Sequence, residues 1–234
     1  MITAKVCDSL EYTRLLPTES IDLIIIDPPY NTTNQFWDQT DPVGSELIGE
    51  LFRVLKETGN LYVWCGIGEK SQSLIRWFPR FSDKFIFKDL ITWKKRRGIG
   101  MRKGWLYTRE EIMWFVKDNK RFTWNKEFQY SEEPNQFKVG MSGYAVQPFK
   151  RITNVWTDIP ENLRLKDTQH YTPKPLEALE RIILAHTKED DVVYDCFMGT
   201  GSTLIAASKL NRQAIGVDIE PKFVEEFLER RMTT

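Results

Sequence analysis

In the stretch IIIDPPYN, residues 24–31, three β-branched apolar residues run into a carboxylate, two prolines and an aromatic ring. The Asp27 carboxylate and the Pro28 carbonyl can each accept a hydrogen bond from an exocyclic NH2 group. Two acceptors draw such a nitrogen out of its planar, delocalised form, so its lone pair points at an electrophile. Pro28 and Pro29 stiffen the turn, and the ring of Tyr30, more than its hydroxyl, offers a face for a flipped base. The stretch therefore predicts chemistry on a planar amine.

A second stretch, VVYDCFMGTGSTLIAASKL at residues 192–210, has the order strand, glycine turn and small-residue helix. Glycines at a strand end let the backbone approach a ligand closely, and the start of the next helix offers free N–H groups. Ligands of open α/β sheets bind at the carboxyl ends of strands. The residues predicted to line such a site are Asp195, Phe197, Gly199, Thr200, Gly201 and Ser202.

The next apolar run, QAIGVD, ends at Asp218, seventeen residues after Gly201. An acidic residue at that strand end is placed to accept hydrogen bonds from ribose hydroxyls. The G-x-G-x-x-G dinucleotide pattern is not met, because position 204 is Leu. This combination argues against a nicotinamide cofactor and favours a nucleoside ligand that lacks a pyrophosphate.

Both stretches need a sheet that brings their strand ends to one edge. Short apolar runs bounded by turn residues predict seven strands, at about 4–7, 22–26, 60–64, 85–93, 112–116, 192–195 and 214–217. Helical patterns lie between several of them, in ELIGELFRVLKETG, which should end at Gly59, and in KPLEALERIILAHT, STLIAASKL and KFVEEFLERRM. Strands alternating with helices predict an α/β fold with a largely parallel sheet.

The composition predicts one soluble globular domain spanning 1–234, since 41% of the 234 residues are hydrophobic and 28% are charged. No apolar run approaches the ~20 residues of a membrane helix, and the N-terminus lacks an apolar signal core. A cytoplasmic protein is expected. Three cysteines without a CxxC pair and two histidines, of which His170 should be structural, speak against metal catalysis.

The formal net charge is zero, yet residues 94–126 hold eleven basic and three acidic residues, a net +8. One basic block in a neutral chain suggests a local contact with a polyanion. Interleaved aromatic residues favour nucleic acid over a solvated charged face, although some of them should belong to the core. The residues proposed for this contact are Lys94, Lys95, Arg96, Arg97, Arg102, Lys103 and Arg109, with Asn31 and Trp37 near the first stretch.

Together, these motifs resemble the amino-methyltransferases of DNA, which move a methyl group from S-adenosylmethionine to an exocyclic nitrogen of adenine or cytosine. The order, with DPPY before the glycine loop, resembles the circularly permuted β-group, and DCFMG resembles type II restriction–modification adenine enzymes. Cys196 stands where the family more often has Pro. Other matching segments are CDSL, FWDQ, FRVLKETGNLYVW, LITWKKRRGIG, TREEIMWFVK, HYTPKP and IGVDIEPKFVEEFLERR.

The resemblance implies a permuted Rossmann-like methyltransferase fold with a seven-stranded sheet, S-adenosylmethionine as the cofactor and double-stranded DNA as the partner. It assigns catalysis to Asp27, Pro28, Pro29 and Tyr30. The cofactor would contact Asp27 as well, with Asp8 near its adenine and Thr172 and Lys174 near its methionine end.

Residues 118–168, rich in Asn, Gln, Pro and aromatic residues with weak periodicity, are predicted to be an inserted target-recognition region. The region is short, which predicts limited sequence reading or help from a second subunit in a homodimer. Asp27, Pro28, Pro29 and Tyr30 are together called the catalytic turn. Residues 34–44 follow this turn with few apolar anchors and are expected to be mobile without DNA.

Asp before PPY mostly accompanies adenine in the family, so N6 of adenine is the expected acceptor. The alternatives are N4 of cytosine, adenine in RNA and the amide of a protein glutamine side chain. A module that binds DNA or senses the cofactor without catalysis is a further alternative. The presence of Asp27, Tyr30, Gly199 and Asp218 argues against it.

Overall fold

The fold is taken from a computed structural model that describes residues 1–31, 41–68, 71–99, 103, 105–126, 130–139, 143–149, 152–161 and 173–232. At residues 96–99, 130–139, 143–149 and 232 the description covers the backbone alone.

The strands are β1 (Ile2–Val6), β2 (Ile21–Ile26), β3 (Leu55–Cys65), β4 (Ile86–Ile99), β5 (Tyr107–Val116), β6 (Tyr130–Val139), β7 (Gly143–Phe149), β8 (Val155–Trp156), β9 (Val192–Asp195) and β10 (Gln213–Asp218). The helices are α1 (Ser9–Leu15), α2 (Ser45–Val54), α3 (Ser73–Ser82), α4 (Leu176–His186), α5 (Ser202–Lys209) and α6 (Pro221–Met232).

Eight strands form one sheet in the order β1-β10-β9-β2-β3-β5-β4-β8. Within this sheet β5 runs opposite to the other strands, because the two pairings that it makes are antiparallel and the remaining pairings are parallel. From β2 the chain crosses through α2 to β3, whereas from β9 it crosses through α5 to β10 on the other side. The crevice between β9 and β2 is therefore a topological switch point, where open α/β sheets bind ligands.

The apolar run of β2 is buried on both faces of the sheet. Leu23 and Ile25 pack in the core beneath α4, α5 and α6, whereas Ile24 and Ile26 pack in the core beneath α1, α2 and α3. Because successive side chains of a strand point to opposite faces, a strand covered on both sides needs a continuous apolar sequence. This requirement explains the isoleucines that precede Asp27.

The helix before β3 ends earlier than predicted. α2 stops just before Leu55, which already pairs with Ile21 of β2. The next paired residues are Leu23 and Asn60, so β3 carries three extra residues in a bulge. Gly59 lies in this bulge, where a Cβ would come within 2.5 Å of a Leu55 side-chain carbon. The prediction that Gly59 ends a helix was therefore wrong, because the glycine accommodates the bulge.

Within the described residues, the sheet has eight strands instead of the predicted seven. The extra strand is β8, two residues that pair with Thr92 and Trp93 of β4. It lies inside the predicted insertion, residues 118–168, together with β6 and β7, which form a separate two-stranded antiparallel sheet. Trp156 of β8 is buried, so part of this segment joins the main core.

Helices α1 and α3 were missed by the sequence patterns. α1 has only seven residues, and α3 contains Pro79, which disfavours a helical assignment. Both pack beside α2 on one face of the sheet. Their positions matter because α1 and α3 both begin close to the carboxyl ends of the strands.

Candidate active site

Four aspartates follow the carboxyl ends of four neighbouring strands. Asp8 follows β1, Asp218 ends β10, Asp195 ends β9 and Asp27 follows β2. Because these strands are parallel, the four carboxylates lie along one edge of the sheet. Asp195 and Asp27 flank the switch point.

Two glycines with positive φ shape the loop after β9. The φ angles are 47° at Gly199 and 79° at Gly201, in the region that favours glycine. A Cβ at Gly201 would come within 2.3 Å of the Phe227 ring, whereas a Cβ at Gly199 would meet nothing within 4 Å. Gly201 therefore permits close packing of α6, and the open space beside Gly199 lets a ligand approach the backbone.

Backbone N–H groups anchor the two carboxylates beside this loop. Asp218 Oδ2 accepts from Gly199 N at 2.8 Å, and its Oδ1 accepts from Glu220 N at 3.0 Å. Asp195 Oδ1 accepts from Phe197 N at 3.0 Å. Burial raises the pKa of both carboxyl groups, and that of Asp195 reaches about 7. Each Asp218 oxygen keeps a lone pair that could accept from a ligand hydroxyl.

Asp8 caps the first helix. Its Oδ1 accepts from Leu10 N at 2.8 Å and from Glu11 N at 3.0 Å. The half-buried Asp218 and the open backbone at Gly199 fit a ligand with a ribose, and Asp8 stands one strand farther along. These residues therefore fit the adenosine part of a nucleoside cofactor.

The remaining residues predicted for the cofactor are spread around this loop. Phe197 packs against the core beneath α1–α3, Ser202 opens α5, and the Thr200 carbonyl accepts from Arg230 at 2.5 Å. Thr172 lies outside the described residues.

The turn after β2 joins three side chains in one hydrogen-bonded group. The Tyr30 hydroxyl donates to Asp27 Oδ1 at 2.5 Å, and Lys174 Nζ lies 3.0 Å from Asp27 Oδ2. Lys174 also donates to the Tyr30 hydroxyl at 3.4 Å, across 144 positions of sequence. The hydroxyl of Tyr30 is therefore used as well as its ring. Asp27 stays 35% exposed, and each oxygen retains a lone pair for another donor.

The backbone around these groups is held firmly. Pro28 is buried and Pro29 is half-buried. The Tyr30 ring lies 6.0 Å from the ring of Trp77 on α3. Asn31 is exposed and has a φ of 61°, which turns the chain directly after Tyr30. The turn thus presents the partly exposed Asp27 and Tyr30 from a well-packed backbone.

Lys174 is shared with a carboxylate that the sequence patterns did not identify. Its Nζ lies 2.8 Å from Glu110 Oε2, and Glu110 Oε1 lies 2.5 Å from Lys95 Nζ. The three side chains are 14%, 16% and 19% exposed, in the order Lys174, Glu110 and Lys95. The local sequence does not distinguish Glu110, because it is one acidic residue inside a basic window. Only the fold brings it to the catalytic turn.

These contacts decide the charge states of the group. Burial raises the pKa of Asp27, Lys174 lowers it, and Glu110 adds to the rise. Burial would also raise the pKa of Glu110, but Lys174 and Lys95 lower it to about 2. Burial opposes the charge of Lys174, yet the two carboxylates raise its pKa above the ordinary value. Burial, with the carboxylates, raises the Tyr30 pKa, so Tyr30 keeps its proton and acts as a donor.

The basic window does not form one surface. β5 has ten residues and spans roughly 30 Å, so Arg109 near its start and Lys117 just past its end lie at opposite edges of the sheet. Lys117 is 4% exposed, donates to the Leu55 carbonyl and lies 3.8 Å from Glu57. A single contact surface over residues 94–126 was therefore wrong, and only its first part adjoins the catalytic turn.

The residues proposed to contact DNA near the catalytic turn differ in exposure and in ion pairing. Lys94, Lys103 and Asn31 are exposed. Lys95 is paired with Glu110, and Arg109 lies 3.0 Å from Glu111 while half exposed. Arg96 and Arg97 continue β4 with only their backbone described, and Arg102 and Trp37 lie outside the described residues.

The segment expected to be mobile is anchored at its described end. Val43 is fully buried, Trp77 Nε1 donates to Asp41 Oδ1 at 3.0 Å, and Arg80 lies 2.9 Å from Asp41 Oδ2. The expectation was therefore wrong for residues 41–44, because α3 supplies partners that the local sequence does not reveal. Residues 34–40 lie outside the described part of the chain.

His186 belongs to the core. Its Nε2 lies 2.6 Å from the Tyr62 hydroxyl and its Nδ1 lies 2.7 Å from the Thr123 carbonyl oxygen, and burial lowers its pKa to about 4. The described residues contain no group of three or more His, Cys, Asp or Glu side chains that could hold a metal ion. His170 lies outside those residues. Of the helices described, none has the length and apolar character to span a membrane.

A protein-family model described as DNA methylase matches residues 21–229, which include both the catalytic turn and the glycine loop. The chain belongs to this family. The protein is thus a DNA methylase, and the family expected from its motifs is confirmed.

Curated relatives and solved structures support the same family and fold. The type II methyltransferase M1.MboII of Moraxella bovis is 30% identical over 244 residues, which cover 92% of this DNA methylase and 91% of the relative. The DNA adenine methyltransferase YhdJ of Escherichia coli (strain K12) is 30% identical over 240 residues, covering 95% and 80%. The crystal structure of an M1.HpyAVI–SAM complex has a TM-score of 0.67 at 24% identity and covers 99% of both chains. The Rossmann-like methyltransferase fold is thereby confirmed.

Proposed function

We propose that this DNA methylase transfers a methyl group from S-adenosylmethionine to the exocyclic N6 of adenine in a specific sequence of double-stranded DNA. The observation that carries the proposal is the position of Asp27, held by Tyr30 and Lys174 at the switch point beside the glycine loop. The relative YhdJ is a DNA adenine methyltransferase, which supports adenine, as does Asp before PPY.

The glycine loop is proposed to hold the cofactor. When bound, S-adenosylmethionine supplies a methyl group on a positively charged sulfur, which is already a good electrophile. Asp218 would accept hydrogen bonds from the ribose, because each of its oxygens has one lone pair left. The open backbone at Gly199 would lie against the ligand, with Asp8 nearer the adenine. Thr172 and Lys174 remain proposed for the methionine end.

The catalytic turn is proposed to orient the amine and stabilise its charge. Asp27 and the Pro28 carbonyl accept from the NH2 group, while the Tyr30 ring supports the flipped base. As the methyl group arrives, positive charge grows on the nitrogen. The Asp27 carboxylate stabilises this charge more in the transition state than in the ground state, which lowers the barrier. Asp27 is also placed to accept the proton that the nitrogen then loses.

DNA would approach along the start of β5 and the end of β4. Lys94 and Lys103 are exposed there and are proposed to contact phosphates. Asn31, exposed directly after the catalytic turn, is proposed as a further DNA contact. The hairpin of β6 and β7, within residues 118–168, is proposed to read the target sequence. A homodimer would supply further contacts. DNA as the substrate supports a cytoplasmic enzyme, prokaryotic or phage-encoded.

Methylation of N4 of cytosine is the second candidate, because the matched family model is named for both N6 and N4 enzymes. Purified protein with tritiated S-adenosylmethionine and unmethylated genomic DNA, total RNA or protein separates the substrate classes. Nuclease digestion and mass spectrometry of the labelled DNA then distinguish the nucleosides. We expect N6-methyladenine in DNA. Label in N4-methylcytosine, RNA or protein would contradict the proposal.

A further inference from the structure

The ammonium group of Lys174 is divided between two carboxylates. It lies 2.8 Å from Glu110 Oε2 and 3.0 Å from Asp27 Oδ2, and 4.8 Å from the ring centroid of Trp64. The Lys174 side chain is 14% exposed, so water competes weakly for its N–H groups. Glu110 reaches this position because β5 is reversed and begins at the catalytic edge.

Glu110 is itself held by a second cation. Its Oε1 lies 2.5 Å from Lys95 Nζ, and Lys95 lies 3.9 Å from Glu161 Oε1. All three side chains are less than one-fifth exposed, so their charges are only partly screened. Glu110 therefore cannot turn toward solvent without breaking two ion pairs.

Lys174 has opposing effects on the reaction. Its contact orients Asp27, but a positive charge 3.0 Å from that carboxylate also repels the positive charge that grows on the target nitrogen. With Asp27 as its sole anionic partner, the ammonium would move closer to it and weaken it as an acceptor. The second carboxylate, that of Glu110, draws the ammonium away from Asp27 and offsets its charge.

We propose that Glu110 is a positioning residue for methyl transfer, which holds Lys174 so that the Asp27 carboxylate stays available to the target amine. The inference rests on the proposed function, because it takes Asp27 as the acceptor of that amine. The ion pairs of Glu110 are with Lys174 and Lys95, so its positioning effect on Asp27 passes through Lys174.

The charges that face Asp27 agree with this assignment. Lys174 lowers the pKa of Asp27 and Glu110 raises it, in addition to the larger rise caused by burial. The other titratable or charged groups around Asp27, Lys174 and Glu110 are Tyr30 in the same turn as Asp27, Cys65 on β3, Asp195 on β9, Lys95 on β4 and Glu161 after β8.

The test is single-turnover methylation of unmethylated genomic DNA by excess enzyme as a function of pH. Asp27 must be ionised to accept from the amine, so the rate falls as the pH drops through its pKa. Glu110→Gln keeps the size of the side chain but removes its charge. We expect the maximal rate to fall about tenfold, as for partners within one network. We also expect the acid limb of the pH–rate profile, where the rate falls as Asp27 is protonated, to move to lower pH. Lys174→Gln should move that limb to higher pH.

Opposite shifts in the two variants separate positioning from structural damage, which would lower the rate without moving the limb in a defined direction. Glu110→Asp retains the charge and should keep the limb at its wild-type position. The matched control is Glu57→Gln at the opposite edge, because Glu57 also lies between two cations, 2.8 Å from Arg121 and 3.8 Å from Lys117. It should leave both rate and limb unchanged.

An acid limb in Glu110→Gln that coincides with the wild-type limb would overturn the inference. If Glu110→Gln does not fold, an unmoved limb in Lys174→Gln would overturn the inference equally, because the proposed positioning of Asp27 by Glu110 requires Lys174 to act on that carboxylate. Asp195 also titrates, but its contact with Phe197 N is untouched by these changes. Wild-type enzyme that methylates no DNA would remove the proposed function, a result distinct from either outcome.

Discussion

The two halves of the sheet edge that carries the candidate active site hold their carboxylates in different ways. In the half beside the glycine loop, the carboxylates accept from backbone N–H groups: Asp8, Asp195 and Asp218 each accept from one two residues farther along the chain, and Asp218 also accepts from Gly199 N. In the catalytic half, Asp27 is held by side chains, and one of them, Lys174, is more than a hundred positions away.

The first half fixes the positions of its carboxylates, whereas the second half adjusts the acceptor strength of Asp27. A carboxylate that accepts from its own turn is positioned by local backbone geometry, which suits a ligand that must fit one shape. A carboxylate between a hydroxyl and an ammonium has its acceptor strength adjusted by those neighbours, which suits a reacting group. Mutations in the first half should therefore change cofactor affinity, and those in the second half should change rate.

The largest effect is expected at Asp27. Asp27→Asn keeps the size but removes the charge that stabilises the developing positive nitrogen, so the single-turnover rate should fall at least ~10²-fold. Cofactor affinity, measured by calorimetry, should change much less. A variant that kept most of its single-turnover rate would defeat the mechanism.

Asp218 should show the reverse pattern. Asp218→Ala removes the acceptor proposed for the ribose and frees Gly199 N, so cofactor binding should weaken by about 1.5–3 kcal/mol. Titration calorimetry measures this loss, and the rate at saturating cofactor should recover. Asp118→Ala is the matched control, because Asp118 accepts from Lys120 N and Arg121 N far from the site. Equal cofactor affinity in both variants would remove Asp218 from the site.

Tyr30 tests whether the hydroxyl matters as well as the ring. Tyr30→Phe keeps the stacking face but deletes the donor to Asp27 Oδ1, so we expect about a tenfold lower single-turnover rate, near the small end for hydrogen bonds to charged groups. Tyr30→Ala should also weaken DNA binding, measured by fluorescence anisotropy, because the base loses its stacking partner. If the rate of Tyr30→Phe equals that of wild type, the ring alone is required.

The smallest effect concerns the split basic window. Lys94→Ala should flatten the dependence of log affinity on log salt by ~0.9, the value for one lost phosphate contact. Lys120→Ala, an exposed lysine beyond the far end of β5, should leave the slope unchanged. DNA binding measured at several salt concentrations provides both slopes. Equal changes in the two variants would restore the single basic surface that the fold contradicts.

The sequence by itself determined the features that depend on a few consecutive residues. The apolar run before Asp27 indicated a strand, and Gly199 and Gly201 indicated a loop whose backbone a ligand can approach closely. The order of these motifs also predicted the family, which the family model confirms. Such features are readable because local sterics and strand periodicity act over short distances in the chain.

Only the tertiary structure decided which side chains meet across long distances. It placed Lys174 between Asp27 and Glu110, kept Lys95 in an ion pair, and sent Lys117 to the opposite edge of the sheet. The alternation of residues along a strand indicates the face on which a side chain lies, but not the neighbouring strand or its register. Those are set by the packing of all strands and helices together, and they decide the charge around the reacting carboxylate.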